Sequence, residues 1–71
     1  MSVNIVAPMP GTIAEILVSV GDQVSADEEL IILEAMKMEN PILATSGGKV
    51  AEIKVNEKDK VDTNQVLIVL E

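Results

Sequence analysis

The sequence has no cysteine, no histidine, no arginine and no aromatic residue. Without these side chains the protein forms no disulfide, offers no thiol or imidazole nucleophile and lacks the usual zinc ligands. Twelve carboxylates against five lysines give a net charge of −7, which repels phosphate, and no aromatic ring is present for a base to stack on. We therefore expect no nucleic-acid partner and little catalytic machinery.

Long apolar runs are missing as well. The longest, Val66 to Leu70, is far shorter than the roughly 20 residues of a membrane span, and Met1 to Met9 has no basic residue of the kind that opens a secretory signal. We expect a soluble, cytoplasmic protein with no direct membrane insertion. At 71 residues the chain has room for one domain, residues 1–71, and for no second core.

Branched aliphatic residues are abundant in this short chain. Ten Val, eight Ile and six Leu make up 24 of the 71 residues, enough for a packed core. Val and Ile outnumber Leu, and β-branched side chains suit a pleated, half-buried surface better than a helix. The composition predicts an all-β fold.

An internal repeat organises the chain. A shift of 37 positions aligns residues 1–34 with residues 38–71 without a gap, and 14 of the 34 pairs are identical. Two copies are too few for a solenoid, so we expect two halves that close around one core about an approximate two-fold axis. The predicted strands are Val3 to Ala7, Thr12 to Val18 and Leu30 to Glu34 in the first copy, and Ile42 to Ala44, Lys49 to Val55 and Val66 to Leu70 in the second.

Two local patterns refine this prediction. Alternation predicts that one set of positions in each copy faces the core: Ala14, Ile16 and Val18, and then Ala51, Ile53 and Val55. The segment Ser25 to Glu28 resembles a helix capping box, so Leu30 to Met36 taken alone could be an amphipathic helix. Its repeat partner reads as a strand, and the strand interpretation is therefore favoured in both copies.

The junction of the copies is Ala35-Met36-Lys37, the only segment outside the repeat. Two-fold symmetry relates this junction to the chain ends, so Lys37 is predicted at one tip of the domain, with Met1 and Glu71 near the other. The chain must reverse there without the Gly or Asn that tight hairpins prefer. Violations of local preference concentrate at functional sites, and flexible methionines suit a surface that adapts to partners.

Two motifs resemble those of a known family. Residues 34–40, Glu-Ala-Met-Lys-Met-Glu-Asn, resemble the attachment motif of biotin carboxyl carrier domains, and residues 7–11, Ala-Pro-Met-Pro-Gly, resemble the signature of their first half. The resemblance spans almost the whole chain. It implies a flattened β-barrel, or barrel-sandwich hybrid, of two four-stranded antiparallel sheets with the modified lysine on an exposed hairpin.

The resemblance also implies a function. Biotin would be attached covalently to Lys37 by a biotin protein ligase, with Met36 and Met38 as recognition flanks and Glu34 and Glu39 contributing to ligase choice. The carrier itself would be non-catalytic. It would shuttle a carboxyl group between the biotin carboxylase and carboxyltransferase domains or subunits of a biotin-dependent carboxylase, decarboxylase or transcarboxylase.

The sequence departs from the family at a few turns. Lys58 stands opposite Gly21, where a positive φ would cost around 1 kcal/mol, so a different turn shape is expected there. Asp27 and Asn64 replace another usual glycine, and both residue types tolerate the left-handed region.

Two alternatives share the fold. One is a lipoyl carrier, whose lysine usually follows Asp, where this chain has Met36. The other is an unmodified barrel-sandwich that serves only as a binding module.

Overall fold

The computed structural model describes residues 2–71 as strands joined by turns, with no helix and hence no helix that could cross a membrane within that range. The eight strands are β1 Val3–Val6, β2 Gly11–Ile16, β3 Gln23–Val24, β4 Glu29–Ala35, β5 Met38–Leu43, β6 Gly48–Ile53, β7 Lys60–Val61 and β8 Val66–Leu70. Each of the six predicted strands overlaps an observed one, although β5 begins at Met38, four residues before the predicted start at Ile42. The two-residue strands β3 and β7 were not predicted.

The strands form two antiparallel sheets of four. One sheet has the order β1-β8-β6-β3 and the other β5-β4-β2-β7. The two sheets pack against one shared hydrophobic core in a body of 32 × 17 × 17 Å. The all-β prediction and the flattened barrel of two four-stranded sheets are confirmed.

The predicted two-fold repeat is visible in the hydrogen bonds. A shift of 37 residues converts one sheet order into the other: adding 37 takes β1 to β5 and β3 to β7, and subtracting 37 takes β8 to β4 and β6 to β2. The backbone N–H of Gly21 donates to Val50 O at 2.8 Å, and that of Lys58, its repeat partner, donates to Ile13 O at 2.7 Å. Equivalent backbone groups in the two halves therefore make equivalent hydrogen bonds, so each half is held against the other in the same way.

The core prediction is partly wrong. Ile13 and Val50 are fully buried, whereas Ala14 is exposed and Ala51 is only half-buried. The pairing register shifts at both alanines, so each is the extra residue of a β-bulge, and the alternation changes phase there. Beyond the bulges the predicted positions do turn inward: Val55 is buried, and Ile16, Val18 and Ile53 are half-buried against the core.

The helix alternative for residues 30–36 is wrong, because β4 occupies this segment. The capping contact itself exists: the Ser25 N–H donates to Glu28 Oε1 at 3.0 Å. It closes a turn and not a helix, since Asp27 between them has φ 69°, in the left-handed region.

Left-handed residues recur at equivalent turns. Asp27 and Asn64 have φ 69° and 68°, in line with the sequence prediction. The expectation of a different turn at Lys58 is wrong, because Lys58 adopts φ 76° and the turn keeps the shape of its counterpart at Gly21. The matching hydrogen bonds of the two turns hold Lys58 in this conformation despite its Cβ.

Candidate functional site

The β4–β5 hairpin places the junction lysine at its turn. Ala35 pairs with Met38 as the last rung, so the loop consists of Met36 and Lys37 alone. Both residues have positive φ, 54° and 62°, as the two-residue type I′ hairpin turn requires. The sequence therefore reverses tightly through two residues that each carry a side chain in the left-handed region.

The side chains of the turn project into solvent. Met36 is 88% exposed and Met38 is 64% exposed, and Lys37 between them is exposed as well. Ala35 is buried and fixes the start of the turn to the body of the domain. The three predicted site residues thus lie together at the tip of the hairpin, Met36 and Lys37 in the turn and Met38 at the start of β5, where the lysine amine can be approached.

Two carboxylates form the next rung of the hairpin stem. Glu34 pairs directly with Glu39, and both side chains are exposed. Across the sheet the same row continues through Thr12 on β2 to Lys60 on β7. Like charges in directly opposed positions destabilise a sheet, so the stem of the hairpin carries a local electrostatic cost.

Lys37 forms no ion pair within residues 2–71. The pair found in that range joins Lys54 Nζ to Glu52 Oε2 at 3.3 Å and lies on the other sheet. Within the described residues the Lys37 ammonium is therefore held only by its own side chain.

The second motif, residues 7–11, supports the hairpin by packing closely against β4. A Cβ on Gly11 would lie 2.6 Å from the Glu34 carbonyl oxygen and 3.1 Å from the Leu33 side chain. Only a glycine lets β2 approach the C-terminal end of β4 this closely. Met9, in the same motif, is half-buried against the core. The motif therefore positions the hairpin. The repeat carries one signal of this role, because glycine also stands at the equivalent position, Gly48, where an added Cβ would lie 2.8 Å from Glu71 O.

The chain end lies away from this turn. Glu71 exchanges two backbone hydrogen bonds of 2.8 Å with Lys49, just after the segment 44–48. That segment leaves the hairpin at the rung of Glu29 and Leu43, about 20 Å from the turn at roughly 3.3 Å per residue. The separation of Lys37 from Glu71 stays a prediction, which this path of the chain favours, and Met1 lies outside the described residues.

The other four lysines have different surroundings. Lys49 and Lys60 lie within strands, Lys54 is in the ion pair, and Lys58 lies in the loop between β6 and β7. All four are exposed, yet none occupies a two-residue hairpin turn in the part of the chain described here. Lys37 therefore differs from the other four lysines in its position in a two-residue hairpin turn, and not in its exposure.

Chemically, the site offers one primary amine with apolar flanks. The residues that adjoin it in the turn and stem, Met36, Met38 and the stem carboxylates, include no base directed at the amine by a hydrogen bond. The turn is therefore suited to being modified by an enzyme that supplies the catalytic groups.

Comparisons with known proteins agree with this geometry. Residues 3–70 match the biotin/lipoyl family described as "Biotin-requiring enzyme". The biotin carboxyl carrier protein of Streptococcus mutans is 68% identical over 38 residues, which are 54% of this chain and 29% of that protein. The gamma subunit of glutaconyl-CoA decarboxylase from Acidaminococcus fermentans is 55% identical over 42 residues, or 59% of this chain and 29% of the subunit.

Solved structures show the same fold. The urea carboxylase of Kluyveromyces lactis superposes with a TM-score of 0.95 at 31% identity, over 100% of this chain and 6% of the enzyme. A single-chain, multi-domain long-chain acyl-CoA carboxylase gives a TM-score of 0.90 at 28% identity, over 96% of this chain and 7% of the enzyme. The chain thus spans less than a third of the curated relatives named above and a small part of these enzymes. From its match over residues 3–70 and its barrel-sandwich fold, the chain belongs to the biotin-requiring enzyme family.

Proposed function

We propose that this chain is a biotin carboxyl carrier domain and that biotin is attached through an amide to Nζ of Lys37. The observation that carries the proposal is the two-residue turn that presents Lys37 between two exposed methionines. Two of the relatives, a biotin carboxyl carrier protein and a subunit of a decarboxylase, support the same role.

The attachment reaction fits the geometry of the turn. The Lys37 amine attacks the acyl carbon of biotinyl-AMP held by a biotin protein ligase. To become this nucleophile the ammonium first gives up one proton and its positive charge. A carbon–nitrogen bond then forms, the bond from the acyl carbon to the phosphate oxygen breaks, AMP leaves, and the nitrogen loses a second proton to give the amide. Because the described residues provide no base at this amine, the ligase supplies the proton acceptor.

The residues around Lys37 have separate roles in this proposal. Met36 and Met38 offer flexible, polarizable side chains to the ligase, and Glu34 and Glu39 contribute charge next to the turn. Ala35 anchors the turn to the core. No residue of the carrier needs to make or break a bond afterwards, because the biotin ring supplies the carboxyl-carrying chemistry when it is attached.

The carrier serves a carboxylase or decarboxylase complex. We propose biotin carboxylase and carboxyltransferase domains or subunits as its partners, since the relatives are parts of carboxylases and decarboxylases. A tethered group meets each active site at an effective concentration set by the tether, so the domain contributes local concentration. The cytoplasmic location and the extent of the domain, residues 1–71, stay predictions.

An intact-mass measurement tests the proposal. The unmodified protein is incubated with biotin and ATP plus a biotin protein ligase, and in parallel with lipoate and ATP plus a lipoate ligase. We expect one biotinyl group per chain in the first reaction and almost no lipoyl group in the second. Lipoylation in place of biotinylation would identify a lipoyl carrier, and no modification in either reaction would identify a binding module.

A further inference from the structure

The outer faces of the two sheets differ in charge although the repeat makes them equivalent. The outer face of β5-β4-β2-β7, here called the acidic face, carries four carboxylates and one lysine, 1 − 4 = −3. Cross-strand register places Glu39, Glu34, Thr12 and Lys60 in one row, Pro41, Ile32 and Glu15 in the next, and Leu43 with Glu29 in the last. The acidic face therefore runs from the turn along the whole hairpin.

The equivalent face of β1-β8-β6-β3, here called the neutral face, has balanced side-chain charges. It carries Glu52 and Glu71 against Lys49 and Lys54, 2 − 2 = 0. Glu52 and Lys54 form the 3.3 Å ion pair, whereas no ion pair occurs on the acidic face in the described range. The charge of the acidic face is thus left for something outside the domain to balance.

Apolar side chains lie among these carboxylates. Leu17 and Leu43 are 42% and 41% exposed, and they flank Glu29 on either side: Leu43 pairs with it on β5, and the Leu17 N–H donates to the adjacent Leu30 O at 2.9 Å. The repeat partner of Leu17 is Lys54. At this position one sheet therefore exposes leucine where the other exposes a charge, whereas the repeat partner of Leu43, Val6, is itself 36% exposed.

Folding does not account for this combination. The opposed pair of Glu34 and Glu39 works against the sheet, and the exposed parts of the two leucines contribute nothing to folding of the monomer. The neutral face folds onto the same core with balanced charges, so the acidic pattern is not required by the architecture. A surface with an apolar centre and an uncompensated charge fits a partner of opposite charge.

The position of the reacting amine identifies that partner. The Lys37 amine lies roughly 6 Å from the backbone at full extension, so the enzyme that acylates it must contact the body of the domain. Attached biotin lengthens the arm, and enzymes that act on its ring can work farther away. The turn alone is small compared with the roughly 800 Å² that each partner buries in an interface of standard size, and the surface continuous with it on β4 and β5 is the acidic face.

We propose that the acidic face, as far as Glu15, Glu29, Leu17 and Leu43, is the surface on which the biotin protein ligase docks, through lysine and arginine side chains arranged around an apolar patch. This inference rests on the proposed function, because it takes the ligase as the enzyme that modifies Lys37. A second copy of the chain is disfavoured as the occupant, since two acidic faces repel each other.

Two double variants of equal charge test the proposal. Glu15→Lys/Glu29→Lys acts on the acidic face and Glu52→Lys/Glu71→Lys on the neutral face, and both change the net charge from −7 to −7 + 4 = −3. All four residues are exposed and distant from the turn. The kcat/KM of biotinylation by a biotin protein ligase is measured for each variant at several salt concentrations, after thermal melting has shown that each is folded.

We expect the acidic-face variant to lose about tenfold in kcat/KM, mainly through KM, and to depend less on salt than the wild type. The neutral-face variant should stay within about twofold of the wild type. The milder Glu15→Gln/Glu29→Gln variant should lose less than the reversal, and Leu17→Ala/Leu43→Ala should lower kcat/KM with unchanged salt dependence.

Several results would overturn the proposal. Equal losses in both reversal variants would show an effect of total charge only, and wild-type kinetics in both would show that the ligase does not touch the acidic face. If only the transfer of carboxyl groups to biotinylated Glu15→Lys/Glu29→Lys were slowed, the face would belong to the carboxylase. Wild-type protein that accepts no biotin would refute the proposed function as well, whereas a wild-type kcat/KM for the acidic-face variant would refute this inference alone.

Discussion

The turn of the β4–β5 hairpin holds two side-chain-bearing residues in the left-handed region, Met36 at φ 54° and Lys37 at φ 62°. Asn-Gly is the sequence that such turns prefer, because Asn tolerates this region and Gly has no Cβ to clash. We predict that Met36→Asn/Lys37→Gly stabilises the protein. The same change removes the amine, so stability and carrier function should move in opposite directions.

The magnitude follows from the two φ angles. A residue with a Cβ costs about 1 kcal/mol or more in the left-handed region, so Lys37→Gly removes one such cost and Met36→Asn lowers the other, which together recovers about 1.5–2 kcal/mol. The greater conformational freedom of Gly in the unfolded chain offsets about 0.5–1 kcal/mol of this gain. The net stabilisation is about 1 kcal/mol, and for a domain of this size it raises Tm by about 4–8 °C.

Urea unfolding of the wild type, the double variant and Lys37→Ala measures the effect. Lys37→Ala is the matched control: it also removes the amine but keeps a Cβ at positive φ, so its midpoint should equal that of the wild type. The slope of the transition should be the same in all three proteins, since the folded body is unchanged. A double variant no more stable than the wild type would show that the turn is not strained, and the argument from strain to function would fail.

Three further predictions concern the core, the hairpin support and ligase choice. Ile13→Ala should destabilise by about 2–5 kcal/mol in urea unfolding, because Ile13 is fully buried, whereas half-buried Ile53→Ala should lose only about 1 kcal/mol; the reverse order would contradict the bulge assignment. Gly11→Ala should destabilise by at least about 1 kcal/mol, because the new Cβ meets a backbone oxygen at 2.6 Å, and an unchanged Tm would show that β2 can shift. Met36→Asp should slow biotinylation and admit some lipoylation in ligase assays, since an acid before the lysine is the pattern of lipoyl carriers; unaltered rates with both ligases would remove Met36 from recognition.

The architecture was accessible from the sequence because the repeat is ungapped. Aligning the copies was enough to convert the ambiguous segment at Leu30 into a strand and to predict a two-fold arrangement. Which residues of a strand face the core was harder to predict. A bulge at Ala14 or Ala51 leaves no mark in the pattern of apolar residues, and it moved the fully buried positions to Ile13 and Val50. The two-residue strands β3 and β7 are too short to give any periodicity.

The site was predictable in part for the same reason. Lys37 lies at the one break in the repeat, so its place at a tip followed from symmetry before any contact was known. The support given by Gly11 depends on a close approach of β2 to β4 that no local pattern encodes. The acidic face was also hidden, because Glu15 and Glu29 lie far apart in sequence and share a surface only through the sheet register.

Peptide mapping after treatment with a biotin protein ligase tests the central claim most directly. Two complementary variants are compared with the wild type, one with Lys37→Arg and the other with arginine at the remaining four lysines, Lys49, Lys54, Lys58 and Lys60. We predict that the variant retaining only Lys37 takes up one biotinyl group on the peptide that contains it, as the wild type does, and that Lys37→Arg takes up none. Biotin on any other lysine, or full labelling of Lys37→Arg, would contradict the assignment of Lys37 as the attachment site.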